Sequence, residues 1–241
     1  MMDKVLVFDI AADYAHFKKY YTTTSPLTFA IPPKTTLYGL IGAVLGLDKE
    51  VYLNQFQPGD CQIGIKIKKP ITKTRISLNL INTKNATLMS RIENRTQIRT
   101  EYLKNVEYRI YFHHKNNELY KNLKKQLKEH KAVYSISLGL SENLANFKFI
   151  GEYQVEKIKN NTQWVDIDTV LRIDKENLKK GEIDFSLSGR EYFSDKVALE
   201  MKPSREVIDY GQIVFERQGK SIKAKPTEYY QLENGSNCIL L

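Results

Sequence analysis

The order of hydrophobic periodicities along the first 158 residues is the feature that most limits the possible folds. Four segments show the apolar and β-branched character of strands, two of them with clear alternation of apolar and polar residues. Two further segments place apolar residues every three to four positions, as in a helix with one face on a core. The order strand, helix, strand, strand, helix, strand predicts an α+β, ferredoxin-like (RRM-like) domain. The predicted strands are residues 4–10, 61–68, 106–113 and 147–158, and the predicted helices are residues 32–47 and 119–127.

The same patterns predict the helix ends and the core-facing side chains. Thr35 or Thr36 can cap the first helix, and Gly46 can end it in the left-handed region. The side chains predicted to face the core are Leu37, Leu40, Ile41, Val44, Leu45, Cys61, Ile63, Ile65, Ile67, Val106, Tyr108, Ile110, Phe112, Leu119, Leu123 and Leu127.

An insertion separates the second and third predicted strands. Residues 70–104 are far too many for a hairpin turn and carry no long apolar period, so they predict a protruding ribbon or a loop that orders on binding. Residues 159–241 contain further strand-like stretches of mixed charge. They predict a smaller β-rich region at the C-terminal end.

Positive charge is concentrated in the N-terminal part of the chain. The formal net charge is +9, and residues 1–151 hold 23 Lys or Arg against 12 Asp or Glu, whereas residues 152–241 hold 14 against 16. Residues 66–104 alone hold ten basic side chains and two acids. Such a field attracts phosphate backbones whatever their sequence. The alternative is a lysine-rich solvated surface without a partner.

Three arginines recur at four-residue steps within the insertion. Arg91, Arg95 and Arg99 would line one edge of a helix, or splay across a ribbon if the segment is extended. Guanidinium groups bind phosphate in a bidentate manner and stack on bases, so either form suits RNA. The alternative is that Glu93 and Glu101 pair with these arginines on a solvated surface.

A second candidate binding region combines aromatic and basic residues near the N-terminus. Residues 13–24 (DYAHFKKYYTTT) interleave aromatic rings with Lys18 and Lys19, which offers stacking faces beside phosphate partners. The following helix start adds free amides, two hydroxyls and Lys34, which suit a phosphate or an RNA terminus. An ordinary capped helix with core aromatics is the alternative.

Several classes of protein are excluded by the sequence. No run approaches the roughly 20 apolar residues of a membrane helix, and the N-terminus lacks the pattern of a secretory signal, so we expect a cytoplasmic protein without a membrane partner. Cys61 and Cys238 lack the paired spacing of a zinc site and are expected to be buried thiols. The four histidines form no metal-binding motif, so neither a metal nor a cofactor is expected.

One cluster suggests catalysis as an alternative to binding. His113, His114 and Lys115 end the third predicted strand. An imidazole can pass protons while an ammonium stabilises a charged phosphorane, which is the chemistry of metal-independent RNA cleavage. His16 is a second candidate for the imidazole. A solvated turn is the alternative role for such residues at a strand end.

Two long segments resemble a known family. Residues 8–47 (FDIAADYAHFKKYYTTTSPLTFAIPPKTTLYGLIGAVLGL) and 133–153 (VYSISLGLSENLANFKFIGEY) resemble the fifth Cas protein family, type I-B branch. The resemblance implies a modified ferredoxin-like RAMP domain over residues 1–154, with a basic thumb inserted at about 70–104. It also implies a smaller β-rich region over residues 155–241.

The resemblance implies a function in a CRISPR surveillance complex, Cascade. Members hold the five-prime handle of the guide RNA (crRNA), abut the first backbone subunit and dock the large subunit, with target DNA bound in the assembled complex. Because a separate nuclease usually processes the RNA in type I-B systems, we expect no catalysis here. Endoribonuclease activity and RRM-like nucleic-acid binding outside CRISPR remain as alternatives, although residues 106–113 lack the RRM stacking pattern. The implied RNA contacts are His16, Lys18, Lys19, Tyr20, Tyr21, Lys34, Thr35, Thr36, Arg91, Arg95 and Arg99, and Arg190 is added because it follows a glycine where a backbone can approach closely.

Overall fold

The computed structural model describes residues 2–81, 95–174 and 176–241, which form an α+β fold that is mostly β. The helices are α1, Lys34–Leu45, and α2, Asn117–Lys128. The first five strands are β1 Lys4–Ala15, β2 Cys61–Ile67, β3 Thr72–Ile81, β4 Arg95–His114 and β5 Asn146–Ile158. The remaining strands are β6 Val165–Ile167, β7 Leu171–Ile173, β8 Tyr192–Met201, β9 Val207–Glu216, β10 Ile222–Ala224, β11 Tyr229–Leu232 and β12 Asn237–Cys238.

The main sheet contains all four strands that the sequence predicts. They lie in the order β5-β1-β4-β2, and every neighbouring pair is antiparallel. In register, Phe8 of β1 lies opposite Ile110 of β4 on one side and Phe149 of β5 on the other. The sheet order places β1 and β4 at its centre, where both strands are paired along both edges.

Both faces of the main sheet are covered. One face packs on the two helices through a core that includes Phe8, Ile63 and Leu123. The other face carries Val5 and Tyr111, which pack against residues of β11 and β12. All the side chains predicted to face the core are buried except Leu45, which is half-buried. Cys61 and Cys238 are buried free thiols, as predicted.

The two helices begin and end in different ways. Asn116 caps α2, since its side-chain oxygen accepts hydrogen bonds from the amides of Glu118 and Leu119. The predicted threonine cap of α1 is wrong: the helix begins directly after Pro33, whose extended backbone forms the N-cap without any side-chain bond. Gly46 ends α1 in the left-handed conformation as predicted, with φ of 74°. Within the described chain, no helix is long and apolar enough to cross a membrane.

The described part of the predicted insertion is a β-ribbon. Strand β3 pairs with the first half of β4 over ten consecutive positions, from Thr72 opposite Lys104 to Ile81 opposite Arg95. The helical alternative for Arg95 and Arg99 is therefore wrong. Arg91 lies outside the described residues. Since β1 pairs with β4 only as far as Leu103, the ribbon extends about 25 Å beyond the last pair with β1.

The C-terminal residues are distributed over three sheets. Strands β11 and β12 extend the main sheet beyond β5. The boundary between residues 154 and 155 that the sequence predicts falls within β5. Strands β7, β9 and β8 form a second sheet, and β10 pairs with β6. At the opposite edge of the main sheet, Leu241 exchanges backbone hydrogen bonds with Ile63, and Val170 donates to the carbonyl of Ile65.

A close backbone contact joins the end of β1 to the chain before β5. The amide of His16 donates to the carbonyl of Leu138, and Gly139 follows with φ of 93°. A Cβ atom at Gly139 would lie 1.8 Å from the carbonyl oxygen of His16. Only glycine fits both this conformation and this contact.

We expect Gly139→Ala to lower the free energy of unfolding by about 2–4 kcal/mol, because the new methyl group clashes with backbone that cannot move aside. Denaturant titration of the purified chain measures this change. Gly181→Ala is the matched control, since no described atom beyond its chain neighbours and its own helical turn lies within 4 Å of its would-be Cβ. It should change stability by less than about 0.5 kcal/mol. Equal stability of the two variants would contradict the backbone contact.

Candidate nucleic-acid interface

The loop between β1 and α1 presents two exposed tyrosines. Backbone hydrogen bonds of 2.8 Å, from Phe29 to Phe17 and from Lys19 to Leu27, hold its two arms together. Tyr20 and Tyr21 lie near its tip, 55% and 59% exposed, with ring centroids 5.2 Å apart in an edge-to-face arrangement. Residues 17–29 are called the tyrosine loop below. Its exposed rings can stack on nucleobases.

The ribbon has two chemically different faces. Residues that lie opposite each other in an antiparallel pair point to the same side. One side carries Arg75, Arg95 and Arg99, all exposed, together with polar residues and with Ile81, which lies opposite Arg95. The other side carries half-buried Ile76 and Ile98. The alternation therefore gathers the arginines of the described insertion on one exposed face.

Glu101 joins the ribbon to the tyrosine loop. Its amide donates to the carbonyl of Pro26 at 2.9 Å, and its carboxylate accepts from the amide of Thr28 and from Lys73. Burial acts to raise the pKa of the Glu101 carboxyl. The hydrogen bond and positive charge of Lys73, together with the hydrogen bond from the Thr28 amide, outweigh burial and lower this pKa. The carboxylate thus pairs with Lys73, not with Arg95 or Arg99.

His16 belongs to the same junction and is 3% exposed. Its Nδ1 lies 2.7 Å from the carbonyl oxygen of Glu101, which must accept from it, and its ring lies against Tyr102. The structure therefore gives His16 a role in holding the loop against the ribbon. A direct contact between His16 and RNA stays a prediction.

Two carboxylates of β8 neutralise lysines that the sequence assigns to RNA. Lys19 pairs with Asp195, and Lys34 pairs with Glu200 at 2.6 Å. Glu200 also accepts a hydrogen bond from the hydroxyl of Tyr38 at 3.0 Å. Lys34 is only 3% exposed, so a phosphate reaches its ammonium only if this pair opens.

The other predicted RNA contacts occupy mixed positions. Lys18 is exposed within the tyrosine loop, and Thr35 and Thr36 are half-buried in the first turn of α1. Arg190 is half-buried, and its Nη1 has no hydrogen-bond partner within the described chain. No described atom lies within 4 Å of the would-be Cβ of Gly189, and its φ of 70° favours glycine. Contacts of these residues with RNA stay predictions.

The structure adds two residues that the sequence reasoning missed. Tyr210 of β9 lies with its ring 5.3 Å from that of Tyr20. The ammonium of Lys196 on β8 lies 5.6 Å from the centre of the Tyr210 ring. No local spacing relates residues 196 and 210 to the loop, because only the docking of the second sheet brings them together.

The histidine cluster lies at a separate cavity of about 510 Å³. His113, Lys115 and Tyr120 are among its lining residues. His113 Nδ1 lies 3.0 Å from the carbonyl oxygen of Lys4, and burial of the ring lowers its pKa despite that bond. Lys115 is exposed. Over the described residues, no three His, Cys, Asp or Glu side chains are grouped to hold a metal ion.

Comparisons with known proteins point to one family and one fold. A family model described as CRISPR-associated protein (Cas_Cas5) matches residues 5–151, more than half of the chain. A crystal structure of a CRISPR protein from Archaeoglobus fulgidus is similar over 97% of each chain, with 14% identity and a TM-score of 0.56. A chain of a CRISPR RNA-guided surveillance complex is similar over 91% of each chain, with 10% identity and a TM-score of 0.52. No curated protein matches the sequence.

We expect Glu200→Gln to lower the free energy of unfolding by about 3 kcal/mol, since it leaves the Lys34 ammonium buried without a counter-charge. Chemical denaturation at neutral pH measures this loss. Glu206→Gln is the control, because Glu206 is 63% exposed and pairs with Lys202 on the surface, where the change should stay below about 0.5 kcal/mol.

A double variant tests whether the unpaired charge of Lys34 causes the loss of stability in Glu200→Gln. Adding Lys34→Met to Glu200→Leu removes both charges, and we expect it to recover much of the stability lost in Glu200→Gln. A double variant that is less stable than Glu200→Gln would contradict the uncompensated charge as the cause.

Proposed function

Because the chain belongs to the CRISPR-associated Cas5 family, we propose that it is a non-catalytic RNA-binding subunit of a CRISPR surveillance complex of type I-B. In this proposal the protein holds the five-prime handle of the guide RNA. It contacts the first backbone subunit and the large subunit, and it acts beside target DNA in the assembled complex. The assembly operates in the cytoplasm.

The proposal includes a modified ferredoxin-like core with the ribbon as its thumb. The strand order β5-β1-β4-β2, with two helices packed on one face, supports this reading of the core. The ten-position pairing of β3 with β4 supports a rigid thumb, since an antiparallel ladder fixes the direction of both strands.

The observation that carries the RNA-binding proposal is the junction between two surfaces of complementary chemistry. The arginine face of the ribbon can bind phosphates, and the tyrosine loop can stack on bases. Glu101 fastens the loop to the ribbon through Pro26, Thr28 and Lys73. Proteins that bind single-stranded RNA combine both kinds of contact, and this junction joins the two elements that carry them.

The burial of His16 supports a binding role over catalysis by that residue. Its Nδ1 is engaged with Glu101 and its ring is 3% exposed, so it is poorly placed to exchange protons with a substrate.

A second candidate function is metal-independent cleavage of precursor RNA. The observation that favours it is the cavity that brings His113, Lys115 and Tyr120 together.

Neutralising the ribbon should weaken RNA binding and its dependence on salt. We expect the triple change Arg75→Gln, Arg95→Gln and Arg99→Gln to make the negative slope of log affinity against log salt shallower by about 2, since each lost phosphate contact on a single strand removes about 0.7 from its magnitude. Fluorescence anisotropy with labelled repeat RNA at several salt concentrations measures this slope.

The matched control removes the same charge elsewhere. Lys121, Lys125 and Lys128 are exposed on α2, away from the ribbon, and their change to glutamine should leave the slope nearly unaltered. Equal slopes for the ribbon variant and the native protein would count against the thumb. Equal losses in both variants would indicate binding through general charge alone.

Incubating the purified chain with precursor repeat RNA in chelator separates binding from cleavage. We expect intact RNA, because the proposed role is non-catalytic. Cleavage that disappears in both His113→Ala and Lys115→Ala would favour the endoribonuclease alternative and overturn the non-catalytic assignment. Cleavage that survives both changes would indicate a contaminating nuclease.

A further inference from the structure

A second cavity, of about 490 Å³, lies where the tyrosine loop, the base of the ribbon and the second sheet meet. Lys19 belongs to the loop, Lys73 to β3, and Phe193 and Phe215 to the paired strands β8 and β9. Its volume is in the range of small-molecule sites, roughly 300–1,000 Å³. Three parts of the chain that are distant in sequence therefore build one concave site.

The wall of this cavity is apolar and aromatic. Ile71 and Phe215 are buried, whereas Phe193 is 50% exposed. The rings of Phe193 and Phe215 lie nearly parallel, 20° apart in plane with centroids at 6.0 Å. An aromatic side chain half-exposed in a concave site offers a flat surface for another ring. A nucleobase suits such a surface, since stacking of one base on an aromatic side chain is worth about 1–3 kcal/mol.

Cations surround this apolar wall. Lys73 donates to Glu101 and to the carbonyl of Thr28, and its side chain remains 37% exposed. Arg217 uses Nε for the carbonyl of Ile71 and Nη1 for Glu191, and its side chain is 46% exposed.

These partners orient both cations without using all their donors, since a guanidinium carries five N–H groups and an ammonium three. Lys19 also lines the site, where Asp195 neutralises it. Each of the three cations has a carboxylate partner, so an anion would bind through the N–H donors that Lys73 and Arg217 keep free of these pairs.

We propose that this cavity takes one nucleotide turned out of a bound RNA strand, with its base stacked on Phe193 and its phosphate held by Lys73 and Arg217. The inference rests on the proposed RNA-binding function and adds a specific subsite to it. A flat apolar wall beside oriented cations matches the two halves of a nucleotide. The base of the ribbon supplies Lys73, so RNA that follows the arginine face reaches the cavity directly.

Abasic substitution in the RNA tests the stacking contact. Each position of a synthetic RNA of the host's repeat sequence is replaced in turn by an abasic residue, and its affinity for the full chain is measured. We expect one position where the lost base weakens binding to the native protein roughly tenfold. Phe193→Ala should weaken binding of intact RNA by a similar factor and abolish the effect of the abasic residue at that position alone.

Two further variants keep the test independent of folding. Phe193→Leu retains apolar contact with Phe215 but lacks a ring, and it should behave as Phe193→Ala does. Phe185→Ala is the matched control, since Phe185 is 53% exposed and packs on Tyr192, the neighbour of Phe193 that points to the opposite face of β8. It should bind intact and abasic RNA as the native protein does.

The outcomes distinguish this inference from the proposed function. If the native chain has no affinity for repeat RNA, the proposed function fails and the subsite with it. If the native chain binds RNA but no abasic position couples to Phe193, only the subsite is overturned. If Phe193→Ala leaves RNA affinity intact but weakens co-purification of a neighbouring subunit, the cavity binds protein and the nucleotide inference is wrong.

Discussion

Strand β4 shares backbone hydrogen bonds with three other strands, and this ladder sets the position of the ribbon relative to the main sheet. β1 occupies one edge of β4, while β3 and then β2 occupy the other edge in succession. Because a paired strand advances about 3.3 Å per residue, the arginine face keeps a set distance and direction from the central sheet. A binding surface on such an element is held more precisely than one on an isolated loop. The tyrosine loop gains the same precision because it is fastened to β4 through Glu101.

Internal ion pairs decide which positive charges remain available to a partner. Burial disfavours the Lys19 ammonium, but the bond and charge of Asp195 outweigh that cost and raise its pKa. The ammonium of Lys34 likewise forms an ion pair with Glu200. Bringing such charges out of water costs about as much as the pairing returns, so an intact pair adds little net stability. Both pairs join β8 of the second sheet to the N-terminal part of the chain. Arg75, Arg95 and Arg99, in contrast, are exposed on the ribbon.

The sequence predicted what local periodicity determines and missed what tertiary contact determines. Alternation in residues 61–68 and 106–113 located β2 and the second half of β4, because a half-buried strand repeats every two residues. The arginine spacing did not distinguish helix from strand, since a step of four places residues on one side of either element. The prediction that Thr35 or Thr36 caps α1 was wrong, because Pro33 already has the extended backbone that precedes a helix. Tyr210, Asp195 and Glu200 could not be found, because nothing near them in sequence marks a contact with the loop or with α1.

The pairing of Leu241 with Ile63, and of Val170 with Ile65, occupies backbone groups on the outer side of β2. An open strand edge is a template on which any extended peptide can add itself, with little regard for side-chain identity. Here those positions of the edge are already taken by the protein's own chain. An incoming polypeptide cannot join the sheet there as an additional strand and must be selected by the shape and charge of its side chains. That restriction favours a matching partner over indiscriminate self-association.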